Sequence, residues 1–504
     1  MWPAPGSRWT SGRRWAINSP TTTDERRFPP SRPVGRATLF CLPYAGGGAT
    51  AFWELQQRFP LWVAIEPVHL QGSQGRIEEQ PRLTAQDVAT AVARRVRTPY
   101  ALYGHSMGAR LGFEVVRELR SRGAPLPVAL FVGAAHAPHV PEPLARLVDL
   151  SEEDFIEQLI ARAGSPVELR DDPDVRELVL PALRADFEWI KRYRYRSEPP
   201  LPVPIVAFAG ADDRLLPPTA MLAWARHSTV GLGLHTLPGT HLFLQSEPDL
   251  LTRLLAAELA TAMNGATAAG TIAEPAADEV HVWLAPLDQL PGHCAADAEL
   301  SRRERERAAA FRHERDRHRF VGRSVVLRRL LRRYGADLGT AELPTARHGK
   351  PYVTTPADLR FSLSHSDGLV LVAVTRGREV GVDIERIRPM ADFDAFCDGA
   401  LDPEERAELT AASEDVQLPL ALKTWTAKEA VLKATGDGLG VEPSDFGFPG
   451  QAPGVPWRAH AAPGLERLRP WRVTHLPLDG AIGAVAVAVD DWRLRYGTVT
   501  EAPG

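Results

Sequence analysis

Two groups of residues in this chain have the types and spacing to carry out chemistry. The first is Gly104-His105-Ser106-Met107-Gly108, between the apolar run Tyr100-Ala101-Leu102-Tyr103 and the helix-patterned Ala109-Arg110-Leu111-Gly112-Phe113-Glu114. G-x-S-x-G in a strand-turn-helix setting is a nucleophile elbow, with small residues on either side of a strained turn that exposes the serine. A serine hydroxyl attacks only when a histidine takes its proton, and that histidine needs an orienting carboxylate. Downstream, a strand-like run from Val203 to Ala209 ends in Gly210-Ala211-Asp212-Asp213, which puts the acid at Asp213, with Asp212 as the alternative. Two histidines follow: His235 inside a strand-like run and His241 after the Pro238-Gly239 turn. The turn favours His241 as the base. His69, His105, His136 and His139 have no comparable placement and are expected to be structural or solvated.

The second group is Asp383 and Glu385 in Gly381-Val382-Asp383-Ile384-Glu385-Arg386, together with Glu429 in the helical pattern Trp425 to Lys433. Side chains at i and i+2 of a strand share a face, so the first two carboxylates point to one spot that Glu429 could complete. Three carboxylate ligands suit a hard cation that keeps several waters, and Mg2+ fits best. The plainer reading is a solvated strand face beside an ordinary i,i+4 pair of Glu429 and Lys433. Lysine usage supports the functional one. The chain has only five lysines, Lys191, Lys350, Lys423, Lys428 and Lys433, against 54 arginines, and four of the five fall in or beside this region. There a compact ammonium can sit among phosphate oxygens as a point charge.

The elements that must position these groups divide the chain. A length of 504 residues is too much for one core. Residues 1–34, rich in Pro and Arg, read as a disordered leader. The Ala-, Gly- and Thr-rich stretch within 263–278 reads as a flexible linker, and 493–504 as a frayed tail. The intervening domains are 35–262 and 279–492. The formal charge of -4 gives no nucleic-acid signal, and no apolar run approaches a membrane span. Cys41, Cys294 and Cys397 are few and scattered, which argues against a disulfide framework and for the cytoplasm. In the first domain, Thr38 to Leu42 runs into Pro43-Tyr44-Ala45-Gly46-Gly47-Gly48, a strand and a loop suited to presenting N–H groups to an oxygen; neither the P-loop nor the dinucleotide spacing is present. In the second, a basic helix is expected from about Arg302 to Arg333, and the apolar runs 369–374 and 481–489 suggest two similar halves.

Residues 35–262 resemble the type II thioesterases that accompany non-ribosomal peptide and polyketide synthases. The resemblance rests on Leu42-Pro43-Tyr44-Ala45-Gly46-Gly47, the elbow, Leu180-Pro181-Ala182-Leu183-Arg184-Ala185-Asp186 and Leu237-Pro238-Gly239-Thr240-His241. It implies an α/β-hydrolase, a doubly wound sheet whose helical lid would be residues 142–195, with an oxyanion hole from the N–H of Met107 and one near Ala45. The second domain resembles the Sfp-type 4'-phosphopantetheinyl transferases through Gly349-Lys350-Pro351, Phe361-Ser362-Leu363-Ser364-His365-Ser366 and the two carboxylate motifs. That resemblance implies an α+β fold and transfer of phosphopantetheine from coenzyme A to a serine of an apo carrier protein, with Mg2+. Asp383, Glu385 and Glu429 would hold the metal, and Glu429 would accept the serine's proton. Lys433 would meet the diphosphate; Arg307, Arg319, Lys350, Ser364, His365 and Lys428 would complete the coenzyme site. One departure is Glu304, where some relatives carry a lysine, which implies a 3'-phosphate grip that is either looser or differently built. Together the resemblances imply a bifunctional enzyme acting on carrier proteins, its halves tethered by a linker that raises the effective concentration of one for the other. The alternatives are a catalytically silent half that binds carriers, or a hydrolase for free thioesters or esters.

Overall fold

The computed structural model describes residues 36–68, 84–96, 99–163, 165–213, 215–265, 274–289, 298–448, 457–461, 464–468, 470–478, 480–488 and 492–499. The leader, His69, the turn that Gly72 and Gly75 suggest after the apolar run Trp62 to Val68, the linker core 266–273 and Cys294 lie outside the described residues. Among the described residues no helix is long and apolar enough to cross a membrane.

The first part alternates strands and helices: β1 (Ala37–Leu42), α1 (Trp53–Arg58), β2 (Val63–Pro67), α2 (Ala85–Arg95), β3 (Tyr100–His105), α3 (Met107–Ser121) and β4 (Leu130–Gly133). A helical excursion follows, α4 (Glu152–Gln158), α5 (Glu168–Asp171) and α6 (Pro173–Arg192), then β5 (Ile205–Gly210), β6 (Leu232–Leu237), α7 (Phe243–Ser246) and α8 (Pro248–Gly265). The strands lie parallel in the order β2-β1-β3-β4-β5-β6. Helices cover both faces, so β3 and β5 are buried at every position and read as continuous apolar runs rather than alternating ones. The excursion α4 to α6 is the expected lid. Asp172 caps α6 through the N–H groups of Asp174 and Val175, and Pro173 at the first turn pre-sets its backbone.

The second part comprises β7 (Glu279–Pro286), α9 (Arg302–Ala309), α10 (Glu314–Arg333), β8 (Leu359–Ser366), β9 (Leu369–Arg376), β10 (Val380–Arg386), α11 (Phe393–Ala400), α12 (Pro403–Ala411) and α13 (Glu414–Thr435). Short strands β11 (Phe446–Gly447), β12 (Trp457–Arg458) and β13 (His460–Ala461) precede β14 (Arg472–Leu478), β15 (Ala481–Val487) and β16 (Arg493–Thr498). The single basic helix expected from Arg302 to Arg333 is two helices, because the chain breaks where Phe311 folds back on Phe320, ring centroids 5.4 Å apart. A four-stranded antiparallel sheet runs β10-β15-β14-β12.

The two parts are not independent bodies on a flexible tether, which corrects the expectation from the 263–278 stretch. One ten-stranded sheet runs β2-β1-β3-β4-β5-β6-β16-β7-β9-β8 through both. The expected tail supplies its central seam: β16 pairs antiparallel with β6 and parallel with β7, placing Arg495 opposite Gly233 on one side and His281 on the other. Gly233 leaves room for the Arg495 guanidinium, whose Nη1 would lie 2.5 Å from a Cβ at that position. Arg495 donates to both oxygens of Glu258 on α8 at 2.8 Å and to Glu279 on β7 at 3.1 Å; Glu258 also meets His235 at 2.8 Å. Arg493 forms a paired contact with Asp278 at 2.9 and 3.0 Å. The seam therefore joins the parts by backbone ladders and by a charge cluster in which Glu258 and Glu279 are largely buried.

Candidate active sites

Ser106 sits at the carboxyl end of β3 with φ 53 and ψ -117, a conformation few non-glycine residues adopt. The turn is possible because its neighbours are glycines: a Cβ on Gly104 would lie 2.1 Å from Gly108 O, and one on Gly108 would lie 2.3 Å from Leu42 O. Ser106 Oγ lies 3.1 Å from His241 Nε2, and His241 Nδ1 donates to Asp213 Oδ2 at 2.8 Å. Asp213 is buried and accepts the N–H groups of Leu215 and Leu216, whereas its neighbour Asp212 is exposed. His235 is buried in the seam against Glu258, stacked on Phe208, away from the serine. Asp213, Ser106 and His241 descend from the carboxyl ends of β5, β3 and β6, where loops leave an open parallel sheet.

His105, expected to be merely structural or solvated, braces this site. Its Nδ1 accepts from Tyr103 OH at 3.0 Å and its Nε2 donates to the backbone carbonyl of His241 at 2.8 Å. Burial, then repulsion from His241, lowers its pKa to about 3, so it stays neutral and keeps one tautomer. Its place inside the elbow was the available sequence signal. On the oxyanion side, Met107 opens α3, so its N–H has no intrahelical acceptor. Ala45 lies in the loop after β1, and the next N–H, that of Gly46, donates to Asp186 on α6 at 2.8 Å.

In the second part, Asp383 and Glu385 project from β10 toward β8. Ser364 donates to Asp383 Oδ1 at 2.8 Å and Ser366 to Glu385 Oε2 at 2.9 Å. From α13, Lys433 reaches Asp383 Oδ1 at 2.6 Å and Ser364 Oγ at 3.0 Å. Burial raises the pKa of Asp383 even against the Lys433 charge; burial and then the nearby Asp383 charge raise those of Glu385 and Glu429. Three carboxylates thus share one field. Among the described residues no three His, Cys, Asp or Glu side chains are gathered into a preformed metal cage. Asp383 Oδ2, however, is buried with no hydrogen-bond partner. An orphaned carboxylate oxygen beside two further acids fits a hard cation that takes its remaining ligands from water and phosphate.

Beside these acids lies a cavity of about 380 Å³ lined by Arg307, Phe311, Arg319, Phe320, Arg323, His365 and Gly368 among others. Arg307 and Arg323 both lie over the Phe320 ring, at 5.4 and 5.0 Å. Arg319 is held by Asp288 at 2.8 and 3.2 Å. Burial, then Arg323, Lys433 and Arg307, lowers the His365 pKa to about 4, leaving a neutral donor at neutral pH. Arg323 was missed, although its i,i+4 spacing from Arg319 puts both on one helix face. Lys350 lies outside this cavity, bonded to Glu379 at 2.6 Å and to Ala434 O at 2.8 Å, on the rim of a second cavity of about 470 Å³. Lys428 does not belong to the site. It is 0% exposed, paired with Glu405 at 2.6 Å and donating to the carbonyls of Ala400 and Pro443. The reason is helix phase: consecutive positions diverge by about 100°, so Lys428 cannot share the face of Glu429 and Lys433. Glu304 is also structural, closing a capping box with Ser301 and holding Arg328 at 2.7 Å.

Residues 37–259 match the thioesterase domain family, and residues 379–489 match the 4'-phosphopantetheinyl transferase superfamily. The gramicidin S biosynthesis protein GrsT of Aneurinibacillus migulanus is 36% identical over 215 residues, which are 42% of this chain and 84% of that protein. Thioesterase TesA of Mycobacterium marinum is 33% identical over 224 residues, 43% of this chain and 88% of its own length. The 4'-phosphopantetheinyl transferase HetI of a Nostoc species is 34% identical over 227 residues, 44% of this chain and 92% of HetI. With a relative matched over most of its length for each part, the chain belongs to both families: a thioesterase domain is joined in one chain to a 4'-phosphopantetheinyl transferase domain.

Proposed function

We propose that this chain is a bifunctional enzyme of non-ribosomal peptide or polyketide biosynthesis that installs the phosphopantetheine arm on carrier proteins and hydrolyses unwanted acyl groups from its thiol. The observation that carries this reading is that each part gathers its candidate reacting groups: Ser106, His241 and Asp213 are hydrogen-bonded in series in one, and in the other Asp383 bonds Ser364 and Lys433 while Glu385 and Glu429 share its electrostatic field. In the hydrolase, His241 takes the proton of Ser106 as Oγ attacks the thioester carbon, then returns it to the departing thiol; water completes the cycle by the same route. Asp213 holds the imidazole in the needed tautomer, and the N–H groups of Met107 and Ala45 face the developing oxyanion.

In the transferase, the carrier's serine oxygen attacks the phosphorus that bears pantetheine, and 3',5'-ADP leaves. Glu429 accepts the serine proton, a role that a raised carboxylate pKa favours. Lys433 is poised to move from Asp383 to the diphosphate, while Arg307, Arg319, Arg323 and His365 hold the 3'-phosphate, with Lys350 at its margin. Mg2+ bound by Asp383, Glu385 and Glu429 would supply charge neutralisation at the diphosphate. A cytoplasmic setting accords with Cys41 and Cys397, both buried and free. The test is to give the full chain an apo carrier, coenzyme A and Mg2+, then acylated carrier. Ser106→Ala should lose hydrolysis by a factor on the order of 10³ or more and keep transfer; Glu429→Ala should do the reverse. Undiminished hydrolysis by the first or undiminished transfer by the second would refute the corresponding half.

A further inference from the structure

The lid helix and the loop proposed to form the oxyanion hole are bonded to each other. Asp186, in the fourth turn of α6, accepts the Gly46 N–H at 2.8 Å. One turn earlier Leu183 lies against the same glycine: a Cβ on Gly46 would come 2.8 Å from Leu183 Cδ1, and Gly46 has φ +73, where a side chain is strained in any case. Gly47 N–H closes the loop on Tyr44 O at 2.8 Å, and Tyr44 OH accepts from Gln245 on α7 at 2.8 Å. The far end of the lid helix is anchored separately, by Tyr193 OH donating to Glu114 on α3 at 2.7 Å. Asp186 and Tyr193 are about 10 Å apart along the axis, at 1.5 Å per residue. A helix pinned at its C-terminal end can swing only by giving up the contact at Gly46.

We propose that Asp186 is a positioning residue of the thioesterase, through which docking of the lid fixes the Ala45-Gly46 loop and so completes the oxyanion hole. The Gly46 N–H is committed to Asp186, which leaves the N–H of Ala45 as the loop's donor. When the lid lifts to admit an acyl arm the loop loses its brace, and when it settles the donor is re-formed, so rapid hydrolysis requires a closed lid. Burial pushes the Asp186 carboxyl up to about 7, as expected of an acid enclosed between lid and loop.

This inference rests on the hydrolase reading above, so wild-type turnover of an acylated carrier and its loss in Ser106→Ala are established first; failure there concerns that reading alone. Asp186→Ala and Asp186→Asn are then compared in the full chain, with transferase activity as the internal control for folding. Misplacing one oxyanion donor should cost less than the 10²- to 10³-fold of deleting it, so Asp186→Ala should lower kcat about 10- to 100-fold with little change in KM. Asp186→Asn still offers an oxygen to Gly46 and should keep kcat within about threefold. A role confined to lid packing predicts a raised KM with kcat unchanged in Asp186→Ala, and that result overturns the proposal. So does an Asn variant as slow as the Ala variant.

Discussion

Replacing Arg495 by Ala tests whether the shared sheet makes one cooperative unit of the two enzymes. The guanidinium holds Glu258, whose side chain is 3% exposed, and Glu279, which is 9% exposed. Removing one partner of a buried pair costs about 3–5 kcal/mol, because the remaining charge is left without compensation. Here compensation is partial: Glu258 keeps His235 at 2.8 Å and Arg493 at 3.8 Å, and Glu279 keeps Arg493 at 3.6 Å. The lower end, about 3 kcal/mol, is therefore expected. With an unfolding entropy of about 2.1 cal/mol/K per residue, that lowers Tm by roughly 3 °C if the stretch 36–499, about 460 residues, unfolds together, and by roughly 6 °C if one part of about 230 unfolds alone. The assay is a thermal scan accompanied by both activities after stepwise heating. Wild type and Arg495→Ala should each lose thioesterase and transferase activity in one transition, the variant's lower by about the smaller shift. A variant Tm within a degree of wild type, or transferase activity outlasting the thioesterase, would refute the reasoning.

Two further outcomes follow from burial elsewhere. Lys428→Met should lower Tm, since it strands Glu405 beside Ala400 and Pro443, while leaving the KM for coenzyme A within about twofold; a selective rise in that KM would return Lys428 to the coenzyme site. Burial raises the pKa of Asp186 in the fold to about 7 from an ordinary carboxylate value of 3.8, so its ionised form is disfavoured there. The native state then binds the proton more tightly, and stability falls as pH rises from about 4 to 7. The Tm advantage of Asp186→Asn over wild type should accordingly grow across that window and level off above it; an advantage that shrinks as pH rises would contradict the assigned sign.

Much of both candidate sites was legible because the signals are local. The elbow needs Gly104 and Gly108 at fixed offsets from Ser106, and the chain order serine, acid, histidine follows from loops that leave successive strand ends. Asp383 and Glu385 share a face by strand periodicity alone. The misses involve partners distant in sequence or helix phase. Arg493-Leu494-Arg495-Tyr496-Gly497 has two arginines in five residues and looks like a solvated tail; only Glu258 and Glu279, more than 200 residues earlier, make it a central strand. Lys428 sat in the right motif but on the wrong side of α13, which counting 100° per residue from Glu429 would have shown. The break between α9 and α10 depends on the Phe311–Phe320 contact, which propensity in an arginine-rich run does not reveal.

The seam also imposes a timetable on synthesis. About 255 residues separate Leu237, the end of β6, from Arg493, the start of its covering strand. At 5–20 residues per second, a ribosome needs roughly 13–50 s to cover that stretch. Throughout that interval the nascent thioesterase carries an open parallel sheet edge, with Glu258 and His235 still lacking Arg495, and an open edge is a template for pairing with other chains. The first part to emerge is thus sealed by the last strand of the second, and a message broken between codons 265 and 493 yields a first part that keeps Ser106, Asp213 and His241 but has an unprotected flank.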